Sequence, residues 1–148
     1  MNPIEAYVPH RGAMLLIDRL LEAGPTDAVA EVTVPADGLF VHEGRMPGWV
    51  GLEYMAQTIS AWSGAQHAQQ GGSPRLGMLL GTRRYHAHVP DFAAGTRLRI
   101  EVHQEFVGAN GLGMFDCRIL REGEEVAAAR LSIFEPEDGE SILRGSTP

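Results

Sequence analysis

The apolar positions between residues 51 and 69 recur at the spacing of a helix face. They fall three or four residues apart, with no proline in the segment, at Leu52, Met55, Ala56, Ile59 and Trp62. Further apolar residues lie on the remaining faces, which indicates a helix that is largely covered by protein. The Gly-Gly-Ser-Pro sequence at 71–74 is a strong stop signal, so the helix is predicted over 51–69.

Apolar and polar residues alternate on both sides of this helix, which is the pattern of β-strands. Before the helix, an apolar run at 14–21 and an alternating run at 28–34 predict a hairpin. After it, candidate strands cover 76–89, 96–107, 112–121 and 126–134. A helix bounded by strands of one antiparallel sheet is an α+β layout, and a sheet that curls around the helix would cover its apolar surface.

Composition and charge narrow the class of protein. The 148 residues fit one domain, predicted over 1–135, and the polar residues 136–148 are expected to form a loosely ordered tail. Twelve basic residues against nineteen acidic ones give a net charge of −7, which argues against a nucleic-acid partner. No apolar run reaches the ~20 residues of a membrane helix, and the N-terminus lacks signal-peptide features. A single cysteine, Cys117, excludes an internal disulfide framework, so a cytoplasmic location is expected.

Glu53 is the most informative polar residue of the predicted helix. It lies in the first turns between Leu52 and Tyr54, where a carboxylate is costly to bury unless it is paired. A partly desolvated carboxyl group is a competent proton donor near neutral pH, so Glu53 is a candidate general acid. The alternative is an interaction with the helix dipole and with the free N–H groups of the first turn. Those N–H groups are also able to hold a carbonyl oxygen.

Among the histidines, one is a candidate general base, and the others are not assigned a chemical role. His42 lies eleven residues before Glu53, and it is either a base that faces the helix start or a solvated loop residue. His86 and His88 share one strand face, but no third ligand is evident nearby, so no metal site is predicted. His10 is interpreted as a residue that organises a turn.

Two motifs resemble the 3-hydroxyacyl-[acyl-carrier-protein] dehydratases. In residues 8–19, a Pro-His-Arg triplet precedes an apolar strand that ends in Asp-Arg. In residues 46–57, Met-Pro-Gly is followed, after four residues, by Glu-Tyr-Met-Ala-Gln, and residues 77–102 are similar to the family's later strands. The family adopts the hotdog fold, a curled antiparallel sheet around one long helix, which agrees with the layout predicted above.

The resemblance implies an activity and a set of site residues. The family removes water, by syn elimination, from a 3-hydroxyacyl thioester on the phosphopantetheine arm of acyl carrier protein, and no further cofactor is expected. A histidine removes the proton beside the carbonyl, a helix glutamate protonates the leaving hydroxyl, and N–H groups at the helix start hold the thioester oxygen. Carried over, Glu53 is the acid and His42 the base, with Gly48, Val50 and Gly51 at the carbonyl contact.

Further binding residues follow from the same resemblance. An acyl tunnel is expected beside the helix, lined by Leu52, Met55, Met78, Leu79 and Leu80. The basic pair Arg83 and Arg84 is either a solvated strand end or the contact for the carrier's acidic surface or phosphopantetheine phosphate.

The segment after His42 departs from the family pattern. The family has Gly-His-Phe-Pro-Gly and three more residues before Met-Pro-Gly, whereas here 43–45 leads directly to Met46, three residues earlier. Either His42 reaches the site through a tighter loop or the base has been lost. A shortened variant resembles the dehydratase-like proteins of polyene-type pathways, in which a divergent member accompanies a more orthodox one.

Three functional hypotheses therefore stay open. The first is a 3-hydroxyacyl-carrier dehydratase, the second a hotdog thioesterase that activates water at Glu53, and the third a catalytically silent subunit that pairs with an active homologue. Because the edge strands of a curled sheet need cover, a homodimer or a hotdog heterodimer is expected, and the family's two catalytic side chains come from different subunits.

Overall fold

Eight strands surround one long helix in the computed structural model, which describes residues 3–69, 78–108 and 110–134. The helix α1 runs over Gly51–Gln69. The strands are β1 (Arg19–Ala23), β2 (Asp27–Thr33), β3 (Arg45–Pro47), β4 (Met78–Ala87), β5 (Asp91–Ala93), β6 (Arg97–Val107), β7 (Leu112–Arg121) and β8 (Glu124–Phe134). Short 3-10 helices cover Ile4–Ala6, Gly12–Met14 and Gly48–Val50.

Six of the strands form one antiparallel sheet in the order β1-β2-β6-β7-β8-β4, and β3 pairs with β5 separately. The β7–β8 connection is a two-residue turn in which Glu122 and Gly123 both have positive φ, 52° and 80°. This turn matches the right-handed twist of a hairpin. β4 lies at one edge of the sheet, with β8 as its neighbour.

The apolar faces of the sheet and of α1 form the core together. In β6, the buried residues Leu98, Ile100 and Val102 alternate with more exposed charged ones, as the sequence pattern predicts. Several α1 residues on different faces are buried, including Tyr54 and Ile59. The prediction of an α+β hotdog layout with a largely covered helix over 51–69 is confirmed.

The structure differs from the predicted elements in two places. The apolar run at 14–21 is not one strand: a 3-10 turn covers Gly12–Met14 and β1 begins only at Arg19. The short strands β3 and β5 were not predicted, because three residues are too few for a periodic pattern. The tail predicted over 136–148 lies outside the described residues, and the domain boundary at 135 stays a prediction.

The N-terminal segment lies directly on α1 because Gly64 has no side chain. A Cβ atom at Gly64 would meet the Tyr7 peptide group, with the carbonyl carbon at 2.6 Å and Cα at 2.8 Å. This close approach fixes the segment that leads to His10. Within the described ranges, no helix is long and apolar enough to cross a bilayer.

Candidate active site

Glu53 lies in the first turn of α1, at the rim of the core. Its side chain is 39% exposed in the single chain, so it is more solvated than the sequence-based prediction assumed. Gln57, four residues later on the same helix face, donates a hydrogen bond from Nε2 to Glu53 Oε1 at 3.1 Å. The carboxylate is thereby held in place by the helix that carries it.

Gln57 also fixes the loop that follows the Pro-His-Arg triplet. Its Nε2 donates to the Met14 carbonyl oxygen at 2.7 Å, and its Oε1 accepts from the Leu16 backbone N–H at 2.8 Å. The side chain is fully buried, so these bonds satisfy an amide that would otherwise be costly to place there. The two motifs that carry the family resemblance meet at this residue.

His10 is brought next to Glu53 by that loop. Its Nε2 lies 3.9 Å from Glu53 Oε1, and its side chain is 27% exposed. The Arg11 guanidinium holds the loop by donating to the carbonyl oxygens of Val8 at 2.6 Å, His10 at 2.7 Å and Glu5 at 3.0 Å. From the sequence, His10 is predicted only to organise a turn, and the Pro-His-Arg motif is the one sequence feature that singles it out.

The electrostatics favour a neutral imidazole at His10. Burial lowers its pKa from the ordinary 6.5; the Glu53 carboxylate opposes this shift and the Arg11 charge adds to it. The Nδ1 atom is buried and has no hydrogen-bond partner among the described residues. A neutral imidazole at pH 7 has a lone pair available to accept a proton.

His42 lies in a tight turn that explains the shortened loop. Its backbone N–H donates to the Arg45 carbonyl oxygen at 2.9 Å, and the Arg45 N–H donates back at 3.0 Å. The two residues between them, Glu43 and Gly44, both have positive φ, 51° and 72°. His42 is exposed, and its ring has no ion pair or side-chain hydrogen bond to any described residue. Its role as base stays a prediction.

The glycines at the helix start serve close packing, and their predicted role at the carbonyl contact stays a prediction. The Gly48 N–H donates to the Pro90 carbonyl oxygen at 2.9 Å, and the Gly51 N–H bonds back to the preceding 3-10 turn. Both amides are therefore engaged in the single chain. The Tyr85 hydroxyl donates to the Gly48 carbonyl oxygen, and a Cβ at Gly51 would collide with that hydroxyl.

The other predicted binding residues are placed as follows. Val50 and Met55 are completely buried in the core, and Leu52 is partly buried against it. Arg84 is exposed and lies, with His86, on the sheet face that also carries Arg130. The side chains of Met78, Leu79, Leu80 and Arg83 lie outside the described part of the chain. Among the described residues, no group of three or more His, Cys, Asp or Glu side chains is placed to hold a metal ion.

A curled antiparallel sheet around one long helix is the hotdog fold. The chain belongs to the ApeP-like family: the family model, described as ApeP dehydratase, matches residues 2–144. It is therefore a dehydratase-type lyase of this family.

Individual relatives agree with this assignment. The 3-hydroxyacyl-[acyl-carrier-protein] dehydratase FabZ of Bordetella parapertussis is 30% identical over 133 residues, covering 84% of this chain and 87% of the relative. FabZ of a Janthinobacterium species is 41% identical over 69 residues, covering 43% of this chain and 44% of that protein. The solved dehydratase heterocomplex ApeI:P from Xenorhabdus doucetiae contains a chain with a TM-score of 0.88 and 30% identity, and the match covers 99% of both chains.

Proposed function

We propose that the chain dehydrates 3-hydroxyacyl thioesters carried on acyl carrier protein to trans-2-enoyl thioesters, in fatty-acid-like or polyene biosynthesis. The observation that supports this proposal most directly is the distance of 3.9 Å between His10 Nε2 and Glu53 Oε1 at the start of α1. A syn elimination needs its base and its acid on the same face of the substrate. Two groups at this separation are able to reach neighbouring substrate atoms on one face.

The proposed chemistry uses the protonated carboxyl group of Glu53 as the acid and the neutral imidazole of His10 as the base. His10 Nε2 accepts the proton from the carbon beside the thioester carbonyl. The carbon–carbon double bond forms as the C–O bond of the 3-hydroxyl breaks, and the hydroxyl leaves as water with the proton of the Glu53 carboxyl group. A proton transfer from the imidazolium to the carboxylate then restores the starting state.

His42 is the competing base, and the resemblance is what supports it. In the family, the histidine and the glutamate of one site come from different subunits. The exposed ring of His42 is accordingly free to reach the Glu53-equivalent of a partner chain, whereas His10 already lies beside the Glu53 of its own chain. The two hypotheses predict different effects of substitution.

Assembly with a second hotdog chain is part of the proposal. The ApeI:P structure, which this chain resembles over its whole length, is a heterocomplex. The edge strand β4 runs over ten residues and has no strand of the described residues on its outer side, so this edge is a candidate for pairing with another chain. A homologous dehydratase chain is the favoured partner, and a second copy of this chain is the alternative. We also propose a cytoplasmic location. Arg83 and Arg84 are the proposed contact for the acyl carrier protein.

The test is turnover of a 3-hydroxyacyl carrier substrate, followed by mass spectrometry for loss of water. The wild type is compared with Glu53→Gln, His10→Asn and His42→Asn, each alone and mixed with a homologous hotdog dehydratase. Loss of general acid–base catalysis is expected to lower the rate about 10²- to 10⁴-fold in Glu53→Gln and His10→Asn. The exposed His103, which pairs with Asp27 on the sheet, gives the matched control His103→Asn.

Other outcomes decide between the hypotheses. A large loss in His42→Asn with full activity in His10→Asn would assign the base to His42. Release of free thiol that survives both histidine substitutions would indicate a thioesterase. Turnover only in the mixture, unchanged by Glu53→Gln in this chain, would make the chain a silent subunit.

A further inference from the structure

The edge strand β4 is regular over only a short stretch. Residues 84–87 pair one for one with residues 127–130 of β8, whereas the register shifts twice earlier in the strand. Bulges of this kind interrupt the pairing of an edge strand, so a partner strand fits best alongside the last four residues. Arg84 therefore lies at the part of the edge that a second chain would meet.

Arg84 is a cation without a counter-ion among the described residues. Its side chain is exposed and makes no ion pair or hydrogen bond within the described part of the chain. Its cross-strand neighbour on β8 is another cation, Arg130. The Glu105 carboxylate already pairs with Arg130 at 2.8 Å. The Glu125 carboxylate, which shares a recess of the sheet face with Arg84, already pairs with His88 at 3.1 Å.

The composition of β4 sets this edge apart from the rest of the chain. The whole protein carries a net charge of −7, yet the ten residues of β4 include two arginines and no aspartate or glutamate. Charged side chains on an edge strand protect it against pairing with the wrong strand. Because the charge here has one sign, it repels a basic edge and attracts an acidic one.

A second copy of this chain would bring like charges together at the edge. Two antiparallel copies of one strand are related by a two-fold axis perpendicular to the sheet, so their outer faces lie on the same side. With that axis at Arg84 or Tyr85, the two Arg84 residues are offset by at most about 7 Å along the strands, because each residue advances by about 3.3 Å. Like charges that oppose each other across two strands destabilise the pair.

We propose that the β4 edge selects against a second copy of this chain and pairs with a homologous hotdog chain whose edge strand carries an aspartate or glutamate opposite Arg84. The proposal rests on the assembly described under the proposed function and adds the chemistry of the partner. Such a partner supplies the carboxylate that Arg84 lacks, and an attractive contact replaces a repulsive one.

The test uses the full-length Arg84→Glu variant as the partner with an acidic edge. It is mixed with an equal amount of wild type in about 0.05 M salt, and native mass spectrometry separates the mixed dimer from the two homodimers by mass. Random assortment gives twice as much mixed dimer as wild-type dimer. We expect at least about a fivefold ratio, because each strand-pair contact changes from repulsive to attractive. The excess should disappear in about 1 M salt, where the screening length is about 3 Å.

Two further variants separate the local charge from the charge of the whole chain. Arg84→Gln is expected to form homodimers more tightly than the wild type in sedimentation experiments, although it makes the chain more acidic. Arg99→Glu is the matched control, because it changes the net charge as Arg84→Glu does but lies on β6, two strands away from the β8–β4 pair's outer edge. Its mixture with wild type is expected to assort at random.

Three results would overturn the proposal. They are random assortment of wild type with Arg84→Glu, an equal excess of mixed dimer with Arg99→Glu, and the absence of dimers from every mixture. The comparison of Arg84→Gln with wild type still decides the question if Arg84→Glu does not fold. Association is measured without substrate or carrier protein, so a failure of the dehydration proposal or of the carrier contact leaves this result readable.

Discussion

The Gln57 carboxamide joins the Glu53 carboxylate to the loop that carries His10. It donates to Glu53 Oε1 at 3.1 Å and to the Met14 carbonyl oxygen at 2.7 Å, and it accepts the Leu16 N–H at 2.8 Å. One buried side chain therefore sets the distance between the two proposed catalytic groups. Stability and activity are coupled at this position.

Gln57→Leu is expected to lower both stability and turnover. The substitution leaves the Leu16 N–H and the Met14 carbonyl without their partner, which should cost about 2–4 kcal/mol of the free energy of unfolding. Urea denaturation measures this cost, and the dehydration assay measures the loss of alignment between His10 and Glu53. Thr58→Val is the matched control: Thr58 is equally buried on α1, and its hydroxyl donates to the Tyr54 carbonyl oxygen within the same helix. A Gln57→Leu protein as stable and active as Thr58→Val would contradict the coupling.

The lowered pKa of His10 predicts where the reaction rate falls on the acidic side of the pH–rate profile. Because burial lowers the pKa of His10, kcat/KM is expected to fall only below pH 6.5. The same shift makes the free energy of unfolding depend on pH. Above pH 6.5, His10 is neutral in the folded and the unfolded protein, and stability is fully retained. As the pH falls from 6.5 through the lowered pKa, the unfolded state binds the proton more readily, so stability is lost.

The Glu53 charge provides a direct check by NMR titration of the His10 ring. Glu53 opposes the downward shift, so Glu53→Gln is expected to lower the pKa of His10 further. A titration midpoint that rises in Glu53→Gln would show that the two groups do not interact as the 3.9 Å separation implies.

The sequence predicts the periodic elements and one residue of the proposed site. The helix over 51–69 and the strands β6 and β7 have clear periods, and Glu53 is recognisable as a carboxylate in an apolar helix. The partnership of His10 and Glu53 is not visible in the pattern, because the two residues are 43 positions apart and meet only through the Gln57 hydrogen bonds to the 14–16 loop. Local spacing and the family resemblance point to His42 as the base, which stays a prediction. Nothing in the spacing shows the tight turn that leaves its ring exposed.

The sequence also does not predict that the backbone N–H groups at the helix start already have hydrogen-bond acceptors. Glycines there indicated free N–H groups, but the Gly48 amide is taken by Pro90 on a loop far along the chain. The reason for glycine at 51 is instead the Tyr85 hydroxyl, which a Cβ atom there would meet. Long-range packing of this kind has no periodic signature.

Gly51→Ala is expected to displace the Tyr85 hydroxyl from the Gly48 carbonyl oxygen. The added methyl group would collide with Tyr85 Oη and approach Ile119 Cδ1 to 3.0 Å, which should cost about 1–3 kcal/mol of stability. Tyr85→Phe removes the colliding oxygen, so the double variant should lose less stability than the sum of the two single variants. Chemical denaturation of all four proteins gives this coupling energy, and strict additivity would show that Tyr85 does not dictate the glycine.

Gly64→Ala tests whether the N-terminal segment positions His10 from a distance. The new Cβ would overlap the Tyr7 peptide group, and a backbone group has no rotamer by which to move away. The segment before His10 must therefore shift off α1, and we expect a loss of about 2–4 kcal/mol of stability by overpacking and exposure of the buried Ile4 and Val8. If the segment positions the base, kcat should fall at temperatures where the variant remains folded, while KM changes little. Ala68→Ser, at an exposed position on the same helix, controls for a general effect of substitution in α1. Full turnover by a destabilised Gly64→Ala protein would mean that Gln57 alone is sufficient to hold the His10 loop.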